Sequence, residues 1–212
     1  MKVAIIHYWL NGMRGGERVL EKICSLYPEA DIYTHILEND KISDKIKNHN
    51  IYTTFINKLP FAKTLYKYYL PLMPLALKSL KLSSYDLIIS SESGPSKGII
   101  KNKNAVHVCY CHSPMRYIWD MSNVYYENFN FIEKIGYNLF LKYLKSWDVN
   151  SSSNIDLIIA NSNFVRERIK KYWNKDSIVI NPSIKFNEFN NLKEEDYYIV
   201  ISELVEYKRI DL

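Results

Sequence analysis

The sequence predicts an α/β protein: a Rossmann-like, doubly wound parallel sheet, followed by a stub of a second domain. Three observations predict it. Short apolar runs rich in β-branched residues recur along the chain, as buried parallel strands do. The first run leads through a glycine-bearing loop into a stretch with apolar residues at helical spacing. That strand-then-helix order returns later in the chain, which is how βαβ units are written in a sequence.

Taken in order, Lys2-Val3-Ala4-Ile5-Ile6-His7 reads as the first buried strand. Asn11-Gly12-Met13-Arg14-Gly15-Gly16 is a loop, and Glu17 to Leu26 is a helix with Val19, Leu20, Ile23 and Leu26 on its apolar face. Ala30 to Thr34 and Ile51 to Phe55 are short strands. Tyr85 to Ser90 is a buried strand, ended by the polar loop Ser91-Glu92-Ser93-Gly94-Pro95. Ala105 to Cys111 is a strand that stops at His112. Ile155 to Asn161 is a strand, Phe164 to Tyr172 a helix, and Ser177 to Ile180 a strand closed by Asn181-Pro182. The polar stretch from Asn187 to Asp196 reads as a linker. Tyr197 to Leu204 then reads as the first strand of a new unit, with a helix beginning near Lys208. Domain boundaries of 1–185 and 186–212 follow, and the chain is expected to be the front part of a longer design.

Composition limits the function classes. With 212 residues, 47% hydrophobic and 24% charged, the chain can bury a core, which excludes wholesale disorder. Three cysteines cannot build a disulfide framework, and the odd count suits a reducing compartment. The N-terminal apolar run is too short for a signal peptide, and no run approaches the ~20 residues of a membrane-spanning helix. The expected location is therefore cytoplasmic. A net charge of +5 is mild for a nucleic-acid binder, so nucleic acid is not an expected partner.

Four constellations carry chemistry. In Gly12-Met13-Arg14-Gly15-Gly16 the glycines let backbone N–H groups approach an anion at a helix N-terminus; a tight turn explains the same residues, and Glu17 would compete with the anion. Cys109-Tyr110-Cys111-His112 invites a metal reading, but a second ligand pair is missing, so no metal is expected. Both cysteines fall on one strand face as core, whereas His112 sits at the strand's C-terminal end, where open α/β sheets bind ligands. The stretch from Lys45 to Tyr85 holds seven lysines and no Asp or Glu, interleaved with aromatics and leucines, and Pro60, Pro71 and Pro74 break it into short helices. That pattern suits an anionic bilayer surface, and equally a solvated lysine face over an ordinary core. Lys208 and Arg209 follow a strand where a helix begins, and cations there can hold phosphates.

Together the segments His7 to Glu17, Leu70-Pro71-Leu72-Met73-Pro74, Tyr85 to Ser91, Cys111-His112-Ser113-Pro114-Met115-Arg116-Tyr117-Ile118-Trp119-Asp120, Asn161-Ser162 and Tyr207 to Leu212 give the sequence a resemblance. It resembles the N-terminal half of a bacterial family 4 retaining glycosyltransferase of the GT-B fold, of the mannosyltransferase-like type that builds O-antigen and capsule. The resemblance implies a two-domain enzyme without a cofactor. It would move a sugar from a nucleotide sugar, with GDP-mannose as the expected donor, to a lipid-linked saccharide at the inner face of the cytoplasmic membrane. The 45–85 region would be its membrane surface.

It also implies roles. His112 and Lys208 would be catalytic. Gly15, Gly16, Lys208 and Arg209 would bind the donor diphosphate, with Lys208 neutralising the charge that builds on the leaving phosphate. Arg14, Ser113, Arg116, Tyr117 and Asp120 would line the acceptor side. Two departures from the family pattern stand out. Glu203 occupies a position where many relatives carry a diphosphate-binding arginine, and the donor-domain glutamate pair falls outside this sequence. The 212-residue chain is therefore expected to have little or no transferase activity by itself. The alternative reading is a non-catalytic, truncated remnant that binds membrane or acceptor. A nucleotide-dependent oxidoreductase is disfavoured because the Gly-x-Gly-x-x-Gly fingerprint is missing.

Overall fold

The computed structural model describes residues 1–127, 130–183, 196–201 and 210. The chain divides into two compact units, Met1–Pro182 and Ser183–Leu212.

In the first unit, seven strands form one sheet: β1 (Val3–His7), β2 (Asp31–Thr34), β3 (Ile51–Thr53), β4 (Leu87–Glu92), β5 (Val106–Cys111), β6 (Leu157–Ala160) and β7 (Ile178–Val179). Their order is β3-β2-β1-β4-β5-β6-β7, and every pairing is parallel. Parallel neighbours require crossovers, and helices supply most of them. They are α1 (Gly15–Leu26), α2 (Asp44–Lys47), α3 (Ala62–Leu65), α4 (Met73–Lys78), α5 (Ser122–Glu127), α6 (Phe131–Ser151) and α7 (Asn163–Trp173). The expected Rossmann-like, doubly wound sheet is thus observed.

Alternation along the strands sends side chains to two faces. Ile5, Ile32 and Ile89 pack against Leu20, Ile23 and Cys24 of α1 and Ile46 of α2. Ala4, Ile6 and Ile88 face the other way, towards Leu77, Leu82 and Ile99. Cys109, Cys111, Ile158 and Ala160 pack on Val165, Ile169 and Trp173 of α7. Every residue of β1 is buried, as its apolar run requires. The order in which strands are added to the sheet reverses between β1 and β4, and the C-terminal ends of those strands open the crevice where such sheets take ligands.

Several expectations are corrected. Leu26 lies exposed at the end of α1, and Cys24 takes its place in the apolar stripe. The strand expected over Ile51 to Phe55 ends at Thr53, and Phe55 starts a helical turn. The strand expected to end at Ser90 continues through Ser91 and Glu92, because β5 supplies ladder partners for both. No element is expected between Asp120 and Ile155, yet α6 fills 21 residues of it. Its apolar residues are spread around the helix, with Leu144 buried and Phe131, Ile135, Leu139, Phe140 and Tyr143 exposed, so no single stripe marks it. Tyr197 to Ile201 are exposed and pair with no strand among the described residues; a strand without a neighbour has nothing to receive its hydrogen bonds. Residues 202–204 of that expected strand lie outside the described residues.

Candidate functional site

The C-terminal edge of β1, β4 and β5 gathers a chain of polar side chains. His7 ends β1 and is in register with Ser91 of β4, so both project from the same face. His112 follows β5 directly, and its backbone N–H donates to the Glu92 carbonyl at 2.8 Å. His7 Nδ1 lies 3.0 Å from Ser91 Oγ, and Ser91 Oγ lies 2.9 Å from His112 Nε2. Behind His7, its Nε2 faces Glu17 Oε1 at 3.6 Å. Neither of those two atoms has a hydrogen-bond partner elsewhere among the described residues. Glu17 Oε2 accepts the Arg14 backbone N–H at 3.0 Å.

His7, Glu17 and Ser91 are fully buried, and His112 is only half-buried. The chain therefore has a closed end and an open one. Burial resists charge on the His112 ring and takes it from its ordinary value of 6.5 to about 4. His112 is thus a neutral imidazole near pH 7. Glu17 is held below the usual carboxylate range: burial opposes this, and its contact with His7 and the backbone N–H groups of the first turn outweigh it. Its place in the first turn of α1 favours the same charge. Glu17 accordingly points inward and does not lie across an anion at the loop, as its sequence position suggests.

Gly16 completes this edge. A side chain there would bring a Cβ within 2.5 Å of Tyr8 Oη and 3.7 Å of His112 Nε2. The structure thus places Gly16 and His112 side by side at the N-terminus of α1. Gly15 and Arg14 stand exposed at the same helix start, and a Cβ on Gly15 would meet nothing within 4 Å.

The other residues singled out beyond His112 form a separate group. Arg116 and Asp120 line a surface hollow of about 470 Å³ with Phe164, Arg168, Lys171 and Tyr172, and His112 is not among its walls. Asp120 forms an ion pair with Arg168, whose guanidinium also donates to the Pro114 carbonyl at 3.2 Å. Ser113 is half-buried and donates its hydroxyl to the Pro114 carbonyl. Tyr117 is half-buried, and its carbonyl accepts the Tyr137 hydroxyl at 2.8 Å. Lys208, Arg209 and Glu203 lie outside the described residues.

Cys109 and Cys111 are core residues, as their shared strand face predicts, and burial pushes the Cys109 thiol up to about 12. On their face lies a second buried polar cluster that sequence reading missed. Glu92 accepts from the backbone N–H groups of Ser96 and Lys97 at 3.0 and 2.9 Å, and from the Ser96 hydroxyl. Lys97 Nζ is 3.5 Å from Glu92 and bonds Asp148 directly. The other oxygen of Asp148 accepts the indole N–H groups of Trp119 and Trp173 at 2.8 and 2.7 Å. Only a weak signal exists for these residues in the sequence, since Lys97 and Asp148 are 51 positions apart. His7, Glu17 and Ser91 are better marked, as polar residues at the ends of apolar strand runs and at a helix start.

Residues 13–185 match the protein family described as Glycosyltransferase Family 4. No curated protein matches the chain. Among solved structures, the crystal structure of Anabaena Alr3699/HepE in complex with UDP is similar at 14% identity and a TM-score of 0.47; the alignment takes in 88% of this chain and 45% of that one. The chain thus spans less than half the length of that solved relative. Since the family match takes in most of the chain, including Gly16, Ser91 and His112, the chain belongs to Glycosyltransferase Family 4.

Proposed function

We propose that the chain is the acceptor-side part of a retaining glycosyltransferase. It would act with a nucleotide sugar, GDP-mannose in the first instance, on a lipid-linked saccharide of surface polysaccharide synthesis. The observation that carries this reading is the half-buried His112, held beside Gly16 at the start of α1 and at the sheet's ligand-binding edge. A neutral imidazole there can hydrogen-bond a sugar hydroxyl, and the exposed start of α1 offers N–H groups to a phosphate. In this reading Lys208 and Arg209 add charge on the donor side, and Arg14, Arg116 and Asp120 face the acceptor.

The membrane role rests on a surface observation. All seven lysines between Lys45 and Lys81 are exposed. Phe61, Leu65, Tyr68, Leu72 and Leu75 are exposed among them, and Tyr68 and Leu72 share a hollow of about 440 Å³ with Leu139, Phe140 and Tyr143 of α6. Apolar side chains ringed by lysines fit the headgroup layer of an anionic bilayer. No helix among the described residues is long and apolar enough to cross one.

Acceptor binding tests the reading on this chain directly. A polyprenyl-diphosphate-linked saccharide should bind saturably and lose affinity with Arg116→Ala and His112→Ala; absence of saturable binding would remove the acceptor-side assignment. For the surface, cosedimentation with vesicles containing anionic lipid should exceed that with neutral vesicles and fall with salt. Lys58→Glu with Lys63→Glu and Lys67→Glu should abolish the difference. Equal binding to both vesicle types would remove the membrane role.

A further inference from the structure

We propose that Glu17, through His7 and Ser91, decides which nitrogen of His112 carries the proton, so that His112 offers a bare Nδ1 to a hydroxyl of its ligand. The three residues are positioning residues, and only His112 would touch the ligand. The proposal rests on the reading above that His112 faces a sugar.

Hydrogen counting along the contacts gives the polarity. Glu17 is at the third position of α1 and takes the Arg14 N–H on Oε2, so its Oε1 faces His7 as an ionised acceptor. His7 Nε2 faces only that oxygen, at 3.6 Å, beyond hydrogen-bond length but near enough for the carboxylate charge to favour the hydrogen on that nitrogen. Taken as neutral, the fully buried His7 then has a bare Nδ1, which can only accept. Ser91 supplies the hydrogen across 3.0 Å. A serine has one hydrogen, so towards His112, 2.9 Å away, the same oxygen must accept. His112 Nε2 is consequently the protonated nitrogen, and its Nδ1 is left with a free lone pair. Nδ1 has no hydrogen-bond partner among the described residues, and His112 is the one member of the chain that solvent reaches.

The polarity is a property of the whole chain, because each link has one hydrogen and one acceptor. Reversing the first link reverses the last. A Glu17→Gln substitution can still accept the Arg14 N–H through its amide oxygen, but it turns an N–H towards His7. His7 Nε2 must then accept, Nδ1 becomes the protonated nitrogen, Ser91 points its hydrogen at His112, and His112 acquires Nδ1–H. A ligand hydroxyl would now meet a donor where it had met an acceptor. Nothing is gained or lost overall; three hydrogens move to the other side of their links.

Nitrogen-15 NMR of the imidazoles reads this directly in the 212-residue chain, without any transferase assay. In the unsubstituted chain near pH 7, His112 should show a protonated Nε2 and a bare Nδ1. In Glu17→Gln it should show the opposite pattern, and His7 should reverse with it. Ser91→Ala cuts the link, so adding Glu17→Gln to Ser91→Ala should leave His112 unchanged. A bare Nε2 on His112 in the unsubstituted chain would overturn the proposal. So would an identical His112 pattern with Glu17 and with the Gln substitution, or an effect that survives without the serine hydroxyl. The two readings fail separately. Reversal of the tautomer without any saccharide binding would leave the relay standing and remove the sugar, whereas saccharide binding with an unmoved tautomer would remove the relay alone.

Discussion

Ser91 and Glu92 are neighbours on β4, yet they feed buried polar networks of opposite character. Ser91 joins Glu17, His7 and His112 on the face of α1, and that network ends at a half-buried imidazole. Glu92 joins Ser96, Lys97, Asp148 and two tryptophans on the other face, and all five of the linked side chains that carry charge or a ring N–H lie inside the protein or against it. Lys97 is fully buried, with its ammonium 4.3 Å from the centre of the Trp173 ring. There the ammonium remains charged: burial opposes the charge, but Asp148 and Glu92 together hold the lysine above its usual range. The comparison separates structural polarity from functional polarity. A network closed on itself specifies how α6 and α7 sit on the sheet; a network with one exposed end can address a ligand.

Lys97→Met should break the closed network most severely. It removes the cation between two buried carboxylates, and loss of one partner of a buried pair costs about 3–5 kcal/mol. Urea unfolding of the variant checks this; a loss under about 1 kcal/mol would mean that the cluster is not what fixes the helices.

Acid should be the next largest perturbation, through two histidines that lie outside both networks. His35 is bonded to Thr54 and the Pro95 carbonyl, and His107 to Ser90 and the Asn154 carbonyl. Burial lowers each from an ordinary 6.5 to about 4. Below pH 6.5 the unfolded chain therefore binds protons that the folded chain refuses, so stability present at neutral pH is lost as pH falls towards 4. The slope approaches ~1.4 kcal/mol per pH unit for each histidine. Glu92, whose carboxyl burial pushes up, shifts in the opposite sense and offsets part of this. Denaturant titrations at pH 7, 6, 5 and 4 measure the trend, and a flat profile would contradict the burial of these rings.

His112→Ala sharpens the contrast from the open side. It should leave the unfolding free energy within about 1 kcal/mol, since the ring is half-buried and ends its chain. Under the proposed function it should lower sugar transfer by an enzyme containing this chain about 100-fold, the scale of losing one well-placed hydrogen-bonding group. A large stability loss with intact transfer would reverse the assignment of the two networks. The smallest effect is expected from Gly98→Ala, beside the closed network. Its Cβ would sit 2.2 Å from a ring carbon of Trp147, and the crowding should cost about 1–2 kcal/mol, measurable in the same unfolding assay.

The residues of the candidate site were unequally legible. His112 was readable because it ends an apolar strand run, and Gly16 because it opens a helix after a glycine loop. Ser91 and Glu92 read locally as a loop, since nothing in a local window says that a Ser-Glu pair will find ladder partners and buried hydrogen bonds. Glu17 looked like an obstacle to an anion, and the fold turns it inward to His7. Asp120 enters the sequence reading through the family resemblance, and its ion pair with Arg168 depends on where α7 lies. The helix α6 escaped because exposed and buried apolar residues share its length.

What the sequence determined by itself was the fold class. The alternation of buried apolar runs with helical stretches is local, and parallel strands joined by crossovers follow from it. What only the tertiary structure decided was which polar residues meet. His7 and Ser91 are 84 positions apart, and Ser91 and His112 are 21 apart. The register of β1 on β4 and of β4 on β5 brings them within hydrogen-bonding distance. Register is fixed by the packing of whole strand faces against helices, and a one-residue slip would send Ser91 to the face of Lys97 and Glu92 to the face of His112.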